Sequence, residues 1–459
     1  MTDEGTDTPT VPPETPRRRS FLFEAARLAS ANFFTSFVQV CVGIATIRIW
    51  GVDARGHIET VLALPGLLSI VFDLGLGRAM PYTIGRKLAP MKSLISTTLI
   101  MWLTASIIGI GICAAYAMSQ RWEDIPPLWV VLGIAYLPLR LFAGIILGFC
   151  VGVERMGFFA GLMWIRDPLA LIMLLGLAAI PSLRQTEDAW IRIFSMDFGF
   201  FFTAVLGLWL IRKYTRITLS IDRKLLGEMT HRSVTFGLGP LFMDLLQNTP
   251  SMLLTISYFA VPPGDIGNYT VGAAIAMLLM QLAYAIGHVL MSRSVNTTDA
   301  AEISRKTLRL LRVGVVGATA MGLGMMVTAP ILVPLVYGPE TDKAPWITVL
   351  LVPGIVGFFA LHTLSTDLIA KGRAIVVARV AGAALAVNIG VCSIYSIPAF
   401  GLWGAAATTA LSYLSAATAM LIVYTRITGT PLREAITLRM DDFPIDQVLG
   451  RLRRGAKSR

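Results

Sequence analysis

Twelve apolar segments, each of about 20 residues, recur along almost the whole chain. Each is long enough to cross the roughly 30 Å hydrocarbon core of a bilayer as an α-helix. The loops between them are short, so a soluble domain fits only in the two tails. The pattern therefore predicts an all-α integral membrane protein with twelve transmembrane helices. Their approximate positions are residues 28–49, 58–77, 94–118, 128–151, 158–180, 190–211, 234–260, 267–290, 312–337, 346–370, 374–397 and 402–425.

The composition and the distribution of charge agree with this prediction. Hydrophobic residues make up 55% of the chain and charged residues 15%, whereas a soluble domain has about 25% charged residues. If the N-terminus is placed inside, the inner segments hold 31 of the 39 Lys and Arg, and Arg140 and Arg166 lie within spans. The other six belong to predicted outer loops: Arg48, Arg55, Arg121, Arg184, Arg192 and Lys343. This excess follows the positive-inside rule. It predicts a multi-pass membrane protein with both termini cytoplasmic, and no nucleic-acid partner.

A weak internal repeat divides the predicted helices into two sets. At an offset of 211 residues, the stretch that begins at Gly56 aligns with the stretch that begins at Gly267. Parallel repeats of this kind flank a central path in many transporters. We therefore expect a six-helix N-terminal lobe at 21–230 and a six-helix C-terminal lobe at 231–425. The flanking segments are a predicted disordered cytoplasmic tail at 1–20 and a basic cytoplasmic tail at 426–459.

Polar residues inside the spans fall on single helix faces, as on the first and seventh helices, which occupy equivalent positions in the repeat. Polar groups that face lipid are costly, so such faces are expected to line a bundle interior or a water-filled lumen. Hydrogen bonds between packed helices are the competing interpretation. The candidate substrate-binding residues on these faces are Asn32, Ser36, Gln39, Gln247, Asn248 and Gln281.

Three acids and one histidine are candidates for ion coupling or gating: Asp244, Asp197, Asp73 and His288. Asp244 is flanked by Pro240 and Pro250, which we expect to break or kink the seventh helix. Structural roles remain open for each of them, because a helix-end acid or an intramembrane histidine often only satisfies its neighbours.

Arg140 and Arg166 are predicted to lie at nearly the same depth, close to the membrane midplane. Arginine keeps its charge there, so it must be paired or face water. A pair of guanidinium groups at one level suits phosphate. The alternative is a purely structural network in which Asp167 and Asp197 neutralise both arginines.

Several stretches resemble Wzx-type polysaccharide flippases of the multidrug/oligosaccharidyl-lipid/polysaccharide exporter superfamily. They are "VFDLGLGRAMPYTIGRK", "LVYGPE", "LIAKGR" and "PAFGLWGAAATTALSYL", and their order and spacing carry the resemblance. It implies two six-helix lobes in a V shape and alternating access between the two membrane sides. It also implies a location in a bacterial inner (cytoplasmic) membrane and an isoprenoid-diphosphate-linked oligosaccharide as substrate, for surface polysaccharide biosynthesis.

Other functions remain to be discriminated. An ion-coupled drug or cation antiporter of the same superfamily would favour acids in the N-terminal lobe without lone midplane arginines. A membrane-embedded glycan polymerase or ligase would need a sizeable outer loop with catalytic residues, and the outer loops are short. A non-transporting scaffold would leave the polar stripes unexplained. We expect a transporter with no enzymatic activity, no metal and no cofactor; its partners would be the lipid-linked glycan, membrane lipids and H+ or Na+ as coupling ion.

Overall fold

The computed structural model of the protein describes residues 21–73, 80, 83–84, 89–119, 125–153, 155–214, 223–256, 259–281, 283–284, 287 and 300–438. Within these segments it contains α-helices, short 3-10 and π-helical turns, and no strand. The prediction of an all-α membrane fold is therefore confirmed. The predicted disordered tail, the end of the basic tail from residue 439 and His288 lie outside the described residues.

Within the described segments, twelve helices overlap the twelve predicted spans one to one. The first two, α1 (21–50) and α2 (52–73), form one helical run, Phe21–Asp73, that is interrupted at Gly51. Gly51 has φ 87° and ψ 171°, a conformation that is accessible to glycine and strained for other residues. The others are α3 Met91–Ser119, α4 Pro127–Gly152, α5 Met156–Ala178, α6 Trp190–Tyr214, α7 Arg223–Leu254, α8 Pro263–Ala276, α9 Ala300–Tyr337, α10 Ala344–Ala370, α11 Ala374–Val391 and α12 Ile397–Thr428. A short α13, Leu432–Ile436, follows.

The two ends of the helical bundle are called here the Gly51 end and the Asp73 end. Contacts between helix ends show which residues share an end: Trp129 donates to the carbonyl of Glu187 at the Gly51 end, and Arg155 donates to Tyr214 at the Asp73 end. Proline begins α4 and α8 at this same Gly51 end, because its missing N–H costs nothing in the first turn.

Eight stretches of the described chain are long and apolar enough to cross a membrane, and two of them contain two helices each. Of the twelve helices, these stretches leave out α7, which carries polar residues around Asp244, and α8, whose α-helical part has 14 residues. Pro240 and Pro250 were expected to break or kink the seventh helix; they do not break it, because α7 continues through both. Each proline removes one backbone hydrogen bond, and the bonds of the neighbouring residues maintain the helix.

Apolar packing divides into separate cores. The largest cluster comes from α7 to α13 and includes Phe358, Tyr413 and Tyr424. Two other clusters, around Phe149 and around Trp50, come mainly from α1 to α6. We call helices α1–α6 the first bundle and helices α7–α12 the second bundle; a further apolar cluster, around Ile47 and Tyr337, joins the two.

The two bundles meet at the Gly51 end through reciprocal glycine contacts. A Cβ on Gly56 would overlap the carbonyl of Pro263, and a Cβ on Gly267 would overlap the carbonyl of Val52. The 211-residue offset of the repeat relates Gly56 to Gly267 and Val52 to Pro263. Each repeat therefore makes the same close backbone contact with the other.

Polar contacts across the same end add to this closure. Arg48 of α1 donates from Nε to the carbonyl of Val336, 2.9 Å away, and from Nη2 to that of Leu335, in the last turn of α9. The negative end of the α9 helix dipole also stabilises the positive charge of Arg48 at this position. Glu340 accepts a hydrogen bond from the backbone N–H of Val52 at 3.3 Å. The bundles are thus held together at the Gly51 end.

Candidate functional site

A cavity of about 510 Å³ lies between the two bundles. Five helices of the first bundle line it, and α7 supplies the opposite wall. Six charged residues line it, three of each sign, and they are Asp73, Arg140, Arg166, Asp167, Arg192 and Asp244. The predicted polar face of α1 reaches this cavity through Gln39.

Arg166 on α5 forms an ion pair with the next residue of the chain. Its Nε and Nη2 donate to the two carboxylate oxygens of Asp167, at 2.8 and 3.0 Å. The side chains remain 15% and 12% exposed, and the guanidinium carbon lies 5.0 Å from the ring centre of Phe200 on α6. Gly199 lets α5 and α6 approach closely here, because a Cβ at that position would lie 2.9 Å from the carbonyl of Arg166. The arginine is therefore fixed in orientation at the cavity wall.

Arg140 on α4 has a different environment. Its Nη1 donates to the hydroxyl of Tyr136, one turn earlier, at 2.7 Å. Tyr136 in turn packs edge-on against Phe200, with ring centres 5.5 Å apart. Among the described residues, no carboxylate forms an ion pair with Arg140. Arg140 and Arg166 thus flank one pair of aromatic rings on the wall of the same cavity.

Arg192 is a cavity residue that the sequence prediction assigned to an outer loop. It lies on the first turn of α6 and lines the cavity, so the loop assignment is wrong. The prediction failed because Arg192 is only two residues from the start of the helix, where charge normally marks a loop. Arg48 and Arg55, also assigned to loops, lie within the run Phe21–Asp73 as well. Only the spatial position of α6 shows that Arg192 points between the bundles.

A second cavity of about 200 Å³ adjoins the first towards the Gly51 end. The two share four lining residues, Tyr136, Arg140, Arg192 and Met196. The rest of its wall is Glu59 with apolar neighbours on α2, and Asn248, Ser251 and Thr255 with Met252 on the α7 side. The large cavity will be called the entry chamber and the small one the inner chamber.

The predicted coupling residues occupy different environments. Asp73 and Asp244 line the entry chamber, from α2 and α7 respectively. Asp197 on α6 is buried and lines neither chamber. Within the described chain, both of its carboxylate oxygens lack a hydrogen-bond partner. The structure therefore pairs Arg166 with Asp167 but brings Asp197 into hydrogen-bond contact with neither Arg140 nor Arg166.

The predicted substrate-binding amides and hydroxyls are only partly brought together. Gln39 lines the entry chamber and Asn248 the inner chamber. Gln247 is half-buried and donates to the hydroxyl of Tyr284, 3.3 Å away, within the second bundle. The remaining three, Asn32, Ser36 and Gln281, are half-buried and line neither chamber.

A second buried ionic cluster lies within the second bundle, away from both chambers. Asp367 accepts hydrogen bonds at 2.6 Å from Lys371 Nζ and from Tyr424 Oη. Lys371 also donates to Ser304 at 2.6 Å. This cluster joins α9, α10 and α12. Across the described part of the chain, no group of His, Cys, Asp and Glu has the arrangement of a metal site.

Comparisons with known proteins identify the fold. No protein-family model matches the chain, and no curated protein sequence matches it. Solved structures do match. The inward-facing form of a multidrug resistance MATE family transporter of the MOP superfamily aligns with a TM-score of 0.69 and 15% identity, over 87% of this chain and 96% of that one.

Two further solved structures align with similar scores. The lipid II flippase MurJ, in an inward closed conformation, aligns with a TM-score of 0.68 and 12% identity, over 89% of each chain. An outward-facing MATE family transporter aligns with a TM-score of 0.62 and 16% identity, over 88% of this chain and 95% of that one. The chain therefore has the fold of these MATE family transporters of the MOP superfamily and of the lipid II flippase MurJ.

Proposed function

We propose that the protein is a flippase that moves an isoprenoid-diphosphate-linked oligosaccharide from the cytoplasmic to the outer leaflet by alternating access. The glycan would serve the biosynthesis of a surface polysaccharide. The observation that carries this proposal is the pair Arg140 and Arg166 on the wall of one chamber between the bundles. Guanidinium groups keep their charge at mid-membrane and bind phosphate oxygens through a planar fork.

The direction of access supports the same proposal. The excess of Lys and Arg at the Asp73 end favours a cytoplasmic location for that end and for both termini. The bundles are in contact at the other end, through the Gly56 and Gly267 contacts. The entry chamber would then receive substrate from the cytoplasmic leaflet of the inner membrane. The two bundles would act as the six-helix lobes proposed at 21–230 and 231–425.

The residues of the chambers can be assigned roles in this scheme. Arg140 and Arg166 would bind the diphosphate, and Gln39 and Asn248 would bind sugar hydroxyls. The roles predicted for Asn32, Ser36, Gln247 and Gln281 would require the bundles to rearrange during the cycle. Asp73 would act as a gate at the Asp73 end. Asp244 and Asp197 would couple transport to H+ or Na+.

An ion-coupled drug or cation antiporter is the second candidate. The observation that favours it is that Asp73 and Asp244, one from each bundle, line the entry chamber, since carboxylates attract organic cations. The similarity to MATE transporters is of the same quality as that to the lipid II flippase. A glycan polymerase or ligase remains the third candidate.

Complementation of surface glycan production tests the proposal. In a strain that lacks this gene, Arg140→Ala and Arg166→Ala should reach normal membrane levels but fail to restore surface glycan. Arg→Lys at either position should restore part of it, because the charge remains and the fork is lost. Arg184→Ala is the matched control, because Arg184 is exposed and, among the described residues, donates only to the carbonyl of Ala178. Normal glycan from a well-expressed double alanine variant would refute the binding role.

A further inference from the structure

We propose that Arg192 forms a second anion subsite, which selects glycans that carry a carboxylate close to the diphosphate. This inference rests on the proposed function, because it takes the diphosphate to be bound at Arg140 and Arg166. It concerns the chemical class of the glycan, which would be acidic.

The position of Arg192 places it beyond the diphosphate on the transport path. Arg166 stacks over Phe200, and Arg192 is two turns further along α6 towards the Gly51 end. At 1.5 Å per residue this is about 12 Å along the helix axis. Arg192 also lines both chambers. A group bound by Arg192 would therefore sit where the sugars next to the diphosphate enter the inner chamber.

The charge of Arg192 is the least compensated of the three chamber arginines. Arg166 is paired with Asp167, and Arg140 donates to Tyr136. The Nε of Arg192 is buried without a hydrogen-bond partner, and no carboxylate of the described residues forms an ion pair with it.

The acids near Arg192 do not neutralise its charge through an ion pair. Glu59 lines the inner chamber but forms an ion pair with Arg55 one turn earlier. Asp167 is paired with Arg166, and neither carboxylate oxygen of Asp197 forms a hydrogen bond within the described chain. A guanidinium that keeps its charge in a membrane and lacks a paired acid can accept an anion from a ligand.

The rest of the inner chamber indicates what bears that anion. Asn248, Ser251 and Thr255 face the chamber from the second bundle, and neutral amides and hydroxyls suit the hydroxyl groups of a sugar. A carboxylate on such a sugar matches the fork of a guanidinium. A uronic acid carries both groups: its carboxylate would bind Arg192 on one wall, and its hydroxyls would bind the amide and hydroxyls of the other wall.

Soluble nucleotide sugars test this subsite on the purified full-length protein. UDP supplies a diphosphate, UDP-glucose adds a neutral hexose, and UDP-glucuronic acid adds the same ring with a carboxylate. In calorimetric titrations, we expect the wild type to bind UDP-glucuronic acid about tenfold more tightly than UDP-glucose, which is the effect of one good charge-assisted contact. Arg192→Gln should abolish this difference and leave UDP-glucose affinity within about twofold.

Two further variants make the result decisive. Arg184→Gln, outside both chambers, should keep the full preference for the acidic sugar. Arg192→Lys should keep part of it, since the charge remains, and it replaces Arg192→Gln if that variant does not fold. Equal affinities of the wild type for the two nucleotide sugars would overturn the subsite, and so would a full preference for UDP-glucuronic acid in Arg192→Gln. If UDP itself still binds in either case, the diphosphate site is unaffected. An absence of UDP binding in the wild type would contradict the diphosphate site itself.

Discussion

The two bundles each contain an ion pair between helices or along one helix, and the two pairs differ in what surrounds their acid. Asp367 in the second bundle is fully buried and shares one oxygen between Lys371 and Tyr424. Arg166 and Asp167 in the first bundle line the entry chamber and stay partly exposed. The second bundle therefore uses charge to hold its helices together, whereas the first presents charge to a space between the bundles.

The largest expected effect tests whether the ion pair of the second bundle stabilises the fold. Asp367→Ala leaves the buried hydroxyl of Tyr424 and the partly buried ammonium of Lys371 without their acceptor, so it should destabilise the protein by about 2–4 kcal/mol. Asp167→Ala should cost less than half of that, because water in the chamber can solvate Arg166. Chemical denaturation of the detergent-solubilised variants measures both, with the exposed Asp342→Ala as control. Equal losses at Asp367 and Asp167 would contradict the distinction.

The second effect concerns the contact between the bundles. Gly267→Val would place side-chain atoms against the backbone of Val52, and overpacking of this kind costs about 1–3 kcal/mol. The cost falls on the state that is closed at the Gly51 end, so the open state should gain population. A cysteine at Ile47, which is buried against residues of the second bundle, should then react faster with a hydrophilic thiol reagent in a variant without native cysteines.

Gly176→Val is the control for this experiment, because a side chain at Gly176 would meet open space. It should leave the labelling rate unchanged. Equal rates in the Gly267→Val and wild-type backgrounds would show that the reciprocal glycine contact does not close this end.

A smaller effect is expected at Arg48. Its bonds to the carbonyls of Val336 and Leu335 cross between the bundles at an exposed position, so Arg48→Ala should weaken closure by about 1 kcal/mol. The same labelling assay measures it, and Arg48→Lys should lose less. If Arg48→Ala changes thermal stability but not labelling, the contact supports folding and not closure.

The smallest effect is expected at the link between Lys343 and Asp265, also at the Gly51 end but within the second bundle. The hydrogen bond that Lys343 donates to the carboxylate of Asp265 raises the pKa of Lys343 above its ordinary value of 10.5. Lys343 is 40% exposed, so the pair contributes below about 1 kcal/mol. Because the pKa is raised by folding, this contribution is complete below pH 10.5 and lost as pH rises through the raised pKa. Lys343→Ala should remove this part of the alkaline decline in stability; an unchanged decline would contradict it.

The sequence predicted the helices well because hydrophobic length alone determines a membrane span. It also predicted that Arg140 and Arg166 lie near each other, since counting residues along two antiparallel helices gives depth. It could not show that Arg166 forms an ion pair with Asp167 while Arg140 donates a hydrogen bond to Tyr136, because those partners depend on side-chain orientation. Arg192 was missed since charge close to a helix start is typical of a loop. Whether the bundles are closed at the Gly51 end depends on long-range contacts, which helix periodicity does not encode.

The central claim is that Arg140 and Arg166 bind the diphosphate of a lipid-linked glycan as it crosses the membrane. The most direct measurement is translocation of a labelled isoprenoid-diphosphate oligosaccharide in proteoliposomes that contain wild type, Arg140→Gln or Arg184→Gln. The account predicts transport by the wild type and by Arg184→Gln, and a rate at least about tenfold lower in Arg140→Gln, which loses a charged contact to phosphate. Equal rates for the wild type and a correctly folded Arg140→Gln variant, or no transport by the wild type, would contradict it.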